Sequence, residues 1–354
     1  MTYNICMAAY NAEPRIHNTL NRNKTHVSNL TVVNDGSTDL TSEEVLRFNA
    51  ETGLEVELFE VPINKKKVGA VRDFVESLPS STKHVVLMDD DSHITTGKHS
   101  IVQSQDRMAT RNLVGGTFRL NVYNPSNVIE KLQSLEYSIG NGMRRVLGAK
   151  GFQRCVPGAA GIYQRDALED VLESHSGDHD GDDFEITYSL LEKGHDLGYL
   201  PDVTVETKVP STIGELIQQR RRWERGAIKT NWRKRKFLGK NILKGNRLSL
   251  LQATEVGSHA LLPAGIAAAA AIGGTSIAPA IIPTFVIGGA LLAAGKKRKE
   301  MTNIGMLPLL PVYHMAVALP SRALAYWDGV KSLFNRTSEA IPDLELPMPI
   351  ETQL

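Results

Sequence analysis

Short apolar runs separated by polar turns dominate the N-terminal part of the chain. "YNICMAA" (3–9), "SNLTVVN" (28–34), "LEVELFEV" (54–61) and "KHVVLM" (83–88) read as strands, being brief, rich in β-branched residues or alternating. The intervening segments 14–24, 40–50 and 67–78 have helical character. The second follows Ser37, Thr38 and Asp39, with Ser42 and Glu43 next, a capping region. Strand–helix–strand repeats with short connections predict an α/β fold with a mostly parallel sheet covered on both faces. Such sheets bind ligands beyond the carboxyl ends of their strands. Polar groups are delivered there: the turn "AYNAE" (9–13) with Tyr10, Asp35 after the second run, and Asp89–Asp91 after the fourth.

Further along, "FEITYSLLEKG" (184–194) is an amphipathic helix ending in Gly, and "TIGELIQQRRRWERGAIK" (212–229) a second helix. From Gly257 to Ala294 there are 38 residues without Asp, Glu, Lys or Arg. A helix needs about 20 apolar residues to cross a bilayer. "GGTSIAP" (273–279) interrupts the run, so the pattern predicts a hairpin of two short spans at about 257–295. Basic "WRKRKFLGK" (232–240) and "KKRK" (296–299) flank it, placing both ends on the cytosolic side. Met301–Ser321, uncharged but carrying Pro308, Pro311 and Pro320, reads as a broken interfacial or re-entrant segment.

Composition changes this picture little, and charge changes it more. The 354 residues are 42% hydrophobic with a formal charge of +1, ordinary for a globular chain. Between Lys208 and Arg247, however, 13 Lys or Arg face two acids, Glu215 and Glu224, a local excess of +11. The adjacent uncharged stretch makes anionic lipid the expected partner of this block, not nucleic acid. Cys6 and Cys155, far apart among apolar neighbours, read as buried reduced thiols. "MTYNICMAAY" lacks the basic start of a secretory signal, so the N-terminal part is expected in the cytosol.

Neighbouring unpaired carboxylates raise one another's pKa, a conflict that a divalent cation removes. In an extended D-x-D, Asp89 and Asp91 point to one side and Asp90 to the other. Oxygen ligands of this kind suit Mg²⁺ or Mn²⁺, completed by substrate phosphates. "GDD" (181–183) sets Asp182 and Asp183 at a helix N-terminus, where anions are favoured. In "QRRRW" (219–223), Gln219, Arg222 and Trp223 share one helix face, while Arg220 and Arg221 face elsewhere and are expected at lipid headgroups or in solvent.

Taken together, "VVNDGSTD" (32–39), "LMDDD" (87–91), "GDD" and "QRRRW" resemble the four motifs of inverting family-2 glycosyltransferases, in the branch of cellulose, chitin and hyaluronan synthases. The resemblance covers roughly residues 3–230. It implies a GT-A-type nucleotide-sugar-binding domain, with a nucleotide-binding part at about 1–110 and an acceptor-side part at 111–230. Basic interfacial helices and the hairpin (231–335) and a flexible tail (336–354) would follow. By resemblance, Tyr10, Asp35, Lys67, Asp89 and Asp91 bind the UDP-sugar. Asp91 is then the direct metal ligand, and Asp89 lies nearer the ribose and sugar. Lys66 shares the basic position of Lys67. Asp183 is the base, Gln219 and Arg222 stabilise the leaving diphosphate, and Trp223 stacks on the acceptor. "CVPGAAGIYQRDAL" (155–168) resembles the acceptor-side stretch of these enzymes.

The expected activity is metal-dependent, inverting transfer from a UDP-sugar to a hydroxyl of a glycan or lipid-linked acceptor at the cytosolic membrane face, polysaccharide synthesis included. The polymer synthases carry more transmembrane helices than this chain offers. Extension or initiation on a lipid or short sugar is therefore expected rather than secretion through a channel, unless several chains assemble as an oligomer. The alternative is a membrane-bound nucleotide-sugar-binding or scaffold protein without turnover.

Overall fold

A computed structural model describes residues 2–178 and 180–243, together with 303, 306, 309, 310, 313, 316, 317 and 320–328. The first strands and helices alternate: β1 (Thr2–Ala9), α1 (Glu13–Arg22), β2 (Leu30–Asp35), α2 (Thr41–Thr52), β3 (Glu57–Val61), α3 (Lys66–Ser77) and β4 (Thr82–Asp89). Then come β5 (Ser92–Ile94), α4 (Lys98–Thr110), β6 (Gly115–Val122), α5 (Val128–Gly148), β7 (Ala160–Gln164), α6 (Arg165–Glu173), α7 (Asp182–Glu192), β8 (Leu197–Thr207), α8 (Ile213–Arg233) and α9 (Arg235–Leu243). The run read as a strand from residue 28 opens later, because Lys24–Asn29 forms a 3₁₀ helix first.

The eight strands form one sheet in the order β3-β2-β1-β4-β7-β6-β8-β5. The first half is parallel, as the alternation predicted. The sheet as a whole is mixed, which corrects the mostly parallel expectation: β7 runs antiparallel to both β4 and β6, and β5 antiparallel to β8. β7 enters from the far side because α5 and the loop after it carry the chain back across the sheet.

Successive strand residues point to opposite faces. Ile5, Met7, Val32, Val86 and Met88 pack with Ile16, Leu20, Phe48 and Ile101 on one side. Cys6, Val33, Val85 and Leu87 pack with Val71, Phe74, Leu168 and Ile186 on the other. Each fully buried Phe or Leu side chain contributes about 1.5–3 kcal/mol.

Two long helices, α5 and α8, border the second half. Each opens with a capping box, Asn127 with Glu130 and Thr212 with Glu215, and Asn127 Nδ2 also donates to the Ser211 carbonyl at 3.1 Å. Leu310, Tyr313 and Val317 pack on Leu132, Leu135 and Ile139 of α5 and Leu216 of α8, so part of the stretch read as interfacial covers these two helices. No helix among the described residues is long and apolar enough to cross a membrane. The hairpin expected at about 257–295 and the tail at 336–354 lie outside the described residues.

Candidate active site

The site begins where β1 and β2 end. Asn11 takes a left-handed backbone (φ 47°) that turns its side chain towards the next strand end. Its Oδ1 accepts the Thr38 N–H at 2.9 Å, and its own N–H donates to Ser37 Oγ at 2.9 Å. Tyr10 beside it is half-exposed. Gly36 (φ 64°) has room for no side chain, since a Cβ would stand 2.6 Å from the Asn64 nitrogen. That close approach lets Asp35 accept the Lys65 N–H at 2.7 Å. Burial pushes the Asp35 carboxyl up.

The three acids after β4 part company. Asp90 and Asp91 form a turn between β4 and β5, so the extended D-x-D geometry does not hold. Asp90 does point away, onto Arg15 of α1, whose Nε and Nη2 donate at 2.9 and 2.6 Å. Asp91 accepts from the hydroxyls of Ser92 and Thr207 at 3.1 and 3.2 Å. Burial and repulsion from Asp89 and Asp90 push its carboxyl up to about 6. Asp89 pairs with Lys67 Nζ at 2.5 Å, and Asp182 stands 3.6 Å from the same ammonium. Burial alone would lower the Lys67 pKa, but Asp182, Asp89 and Asp183 outweigh it and hold it well above its ordinary value. Lys66, at φ 63° and exposed, takes no part in this cluster.

Asp183 is the second residue of α7, behind the N-cap Gly181. Its Oδ2 accepts the Gly158 N–H at 3.1 Å. A Cβ on Gly158 would stand 2.9 Å from Lys67 Nζ and 3.3 Å from Asp89 Oδ2, so this glycine lies between the Lys67–Asp89 pair and Asp183. Burial and the Asp182 charge push Asp183 up to about 6, against the pull of Lys67, the Gly158 N–H and a hydrogen bond from the Cys155 thiol. Burial, then the Asp183 charge, keeps that thiol well above its usual range, so it stays protonated and donates.

On α8, Gln219 Oε1 is buried and has no hydrogen-bond partner among the described residues, Arg222 is exposed, and Trp223 is 39% exposed. These three make no hydrogen bond or ion pair to the acidic cluster among the described residues. Their helix is tied to it by backbone contact at Gly181 and Gly226, where a Cβ on either would meet the other at 2.6–2.8 Å. Below that contact, Arg225 and Lys229 grip Asp180, and Arg233 bonds Asp178 and Glu185.

The placement of Arg220 and Arg221 in lipid or solvent is therefore corrected. Arg220 pairs with Glu136 at 2.7 Å and lies 4.4 Å over the Trp223 ring, and Tyr313 donates to the same Glu136 at 3.0 Å. Arg221 is held by Asp328. Much of the basic block faces acids of the protein itself: Arg225, Lys229 and Arg233, four apart along α8, meet Asp178, Asp180 and Glu185 at and just before the start of α7. Sequence reasoning missed Arg15, Cys155 and Gly158. Only Gly158 had a local signal, as a small residue in a stretch read for close approach.

As a metal site, the acids converge without a third ligand: among the described residues no group of three His, Cys, Asp or Glu stands ready to hold an ion. Asp91, pushed up among its acidic neighbours, still fits one oxygen ligand of a divalent cation whose remaining positions are filled by phosphate and water.

Comparison with known proteins agrees with this geometry. The sequence profile "Glycosyltransferase like family 2" matches residues 3–226. The poly-β-1,6-N-acetyl-D-glucosamine synthase of Staphylococcus epidermidis is 26% identical over 196 residues, 55% of this chain and 46% of that protein. Its Staphylococcus aureus counterpart is 25% identical over 226 residues, 62% of this chain and 53% of that protein. The chain thus spans about half the length of the curated relatives it matches. A mannosyltransferase from Pyrobaculum calidifontis, solved with GDP-mannose and Mn²⁺, superimposes with a TM-score of 0.57 over 90% of this chain and 86% of its own, at 21% identity, which shows a shared fold. With the motif acids at the strand ends, the chain belongs to the family-2 glycosyltransferases.

Proposed function

We propose that this protein is a metal-dependent, inverting glycosyltransferase. It moves a sugar from a UDP-sugar to a hydroxyl of a glycan or lipid-linked acceptor at the cytosolic face of a membrane. The observation that carries the reading is the joining of Lys67, Asp89, Gly158 and Asp183 in one cluster at the strand ends.

Asp183 accepts the proton of the attacking hydroxyl, its carboxylate held in place by the Gly158 N–H and the Cys155 thiol. General-base help of this kind is worth about 10²–10⁴-fold. Lys67 keeps its charge and screens Asp182 and Asp89, so that a diphosphate can approach them. Asp91 and Asp89 would hold Mg²⁺ or Mn²⁺, which when bound offsets negative charge on the leaving diphosphate. Arg222, exposed and without an ion pair among the described residues, keeps its donors for phosphate oxygens. Trp223 offers a ring face to an acceptor sugar.

The test is incubation of detergent-solubilised protein with a panel of UDP-sugars, GDP-mannose and Mn²⁺, followed by product sizing. One UDP-sugar should be consumed, EDTA should stop it, and Mn²⁺ or Mg²⁺ should restore it. Consumption of GDP-mannose alone would overturn the UDP assignment, and full activity in EDTA would overturn the metal.

A further inference from the structure

Arg15 of α1 joins two turns that the proposed chemistry uses separately. Its Nε and Nη2 donate to the two Asp90 oxygens at 2.9 and 2.6 Å, a fork-to-fork pair. Its remaining nitrogen, Nη1, donates to the Asn11 carbonyl at 3.1 Å. One planar guanidinium thus ties the turn after β4 to the turn after β1. Asn11 in its turn holds the loop after β2 through Ser37 and Thr38.

Two more side chains of α1 and its C-cap continue the grip. Thr19 and Asn23 follow Arg15 at intervals of four, so the three share one helix face. Thr19 Oγ1 donates to the Asp90 carbonyl at 2.8 Å. Asn23 Nδ2 donates to the Ser92 carbonyl at 3.1 Å, and its Oδ1 accepts the Ile94 N–H at 3.0 Å. The chain is thereby fixed on both sides of Asp91, whose own carboxylate meets only the hydroxyls of Ser92 and Thr207 among the described residues. Outer contacts of this kind orient a metal-binding carboxylate without touching the ion.

We propose that Arg15 is a positioning residue that links the two ends of the donor site. It holds the Asp91 turn for the cation and the Tyr10–Asn11 turn for the nucleoside, so that each ligand favours the other through the protein. This rests on the reading of Asp91 and Tyr10 as donor-site residues and adds a coupling between them.

The test is Mn²⁺ titration of the full chain, followed by the EPR signal of the free ion, with and without saturating uridine or guanosine. A nucleoside has no phosphate with which to ligate the ion, so its effect on Mn²⁺ passes through the protein. Wild type should bind Mn²⁺ at least about fivefold more tightly with nucleoside present. Arg15→Met/Asp90→Asn, which removes the fork without changing the net charge, should bind Mn²⁺ about 10–100-fold more weakly and lose the nucleoside effect. Arg107→Met/Asp202→Asn is the control. It removes a fork of the same form, at 2.8 and 2.9 Å, between α4 and the middle of β8. Its side chains are 43 and 20% exposed against 37 and 13% for Arg15 and Asp90, so a merely structural role would show equally in both variants. The control should keep wild-type Mn²⁺ affinity and coupling. Mn²⁺ binding by wild type that ignores both nucleosides would overturn the proposal, and that measurement needs no variant to fold. So would equal Mn²⁺ affinity in the two double variants. Coupling to guanosine but not uridine would leave the link standing and remove the UDP assignment. A wild type that binds no Mn²⁺ would remove the metal reading, and this link with it.

Discussion

Gly181 and Gly226 touch backbone to backbone, joining the turn that carries the proposed base to the helix that carries Gln219, Arg222 and Trp223. A Cβ on Gly226 would lie 2.6 Å from the Asp180 carbonyl and the Gly181 Cα, and backbone cannot yield as a flexible side chain does. Gly226→Ala should cost about 1–3 kcal/mol of stability and lower turnover, because the two motifs are forced apart. Gly239→Ala in α9, with open space around the new methyl group, is the control and should be neutral or gain about 0.5–1 kcal/mol. Urea titration and rate measurements on the pair check this, and equal behaviour of the two variants would refute it.

The Asp183 carboxyl sits near 6. Its base form therefore predominates above that pH, and kcat/KM should fall on acidification with a midpoint near 6. Asp183→Asn should lose about 10²–10⁴-fold in turnover while retaining UDP binding. A pH–rate profile flat from 5 to 8 would remove the assignment.

Asp91 and Asp183 have raised pKa values, so between about 4 and 6 the folded protein binds protons that the unfolded chain releases. The stability these groups allow is greatest in acid and is lost as pH rises through 6. In metal-free buffer, Asp91→Asn should thus melt higher than wild type at pH 7.5, with the gap closing below pH 4. Saturating Mn²⁺ should shrink the advantage by stabilising only the wild type. Thermal melts across that pH range measure it, and a lower-melting variant at pH 7.5 would contradict the charge conflict.

Glu136 holds both Arg220 and Tyr313, whereas Asp328 holds the more exposed Arg221. Glu136→Ala leaves the Arg220 guanidinium in a poorly hydrated place without its carboxylate and should destabilise by about 2–3 kcal/mol. Asp328→Ala, which frees the more exposed guanidinium of Arg221, should cost under about 1 kcal/mol. Denaturation midpoints would show the ordering, and a reversed order would count against the burial argument.

The acids of the first half of the sheet were legible in the sequence because they sit where short apolar strands stop, and strand ends can be read from pattern alone. Asp35, Asp89 and Asp91 were located that way. The helix of "QRRRW" was found by period, but the environment of Arg220 and Arg221 was not. Their partners Glu136 and Asp328 are remote in sequence, and a charge on a helix face does not announce whether water or a distant acid will meet it. Arg15 and Asp90, 75 positions apart, escaped for the same reason. Cys155 gave no signal, since a thiol among apolar residues reads the same whether or not it faces a carboxylate. The antiparallel entry of β7 depends on where α5 and the following loop return the chain, which periodicity does not encode.

The bond from Asn127 to the Ser211 carbonyl is one of several ties between α5 and α8, with the Glu136–Arg220 pair and the packing of Leu132 and Leu135 on Leu216. Gln219 and Trp223 therefore stand on a braced strut rather than a lone rod, and a substitution that slackens α5 is transmitted to them.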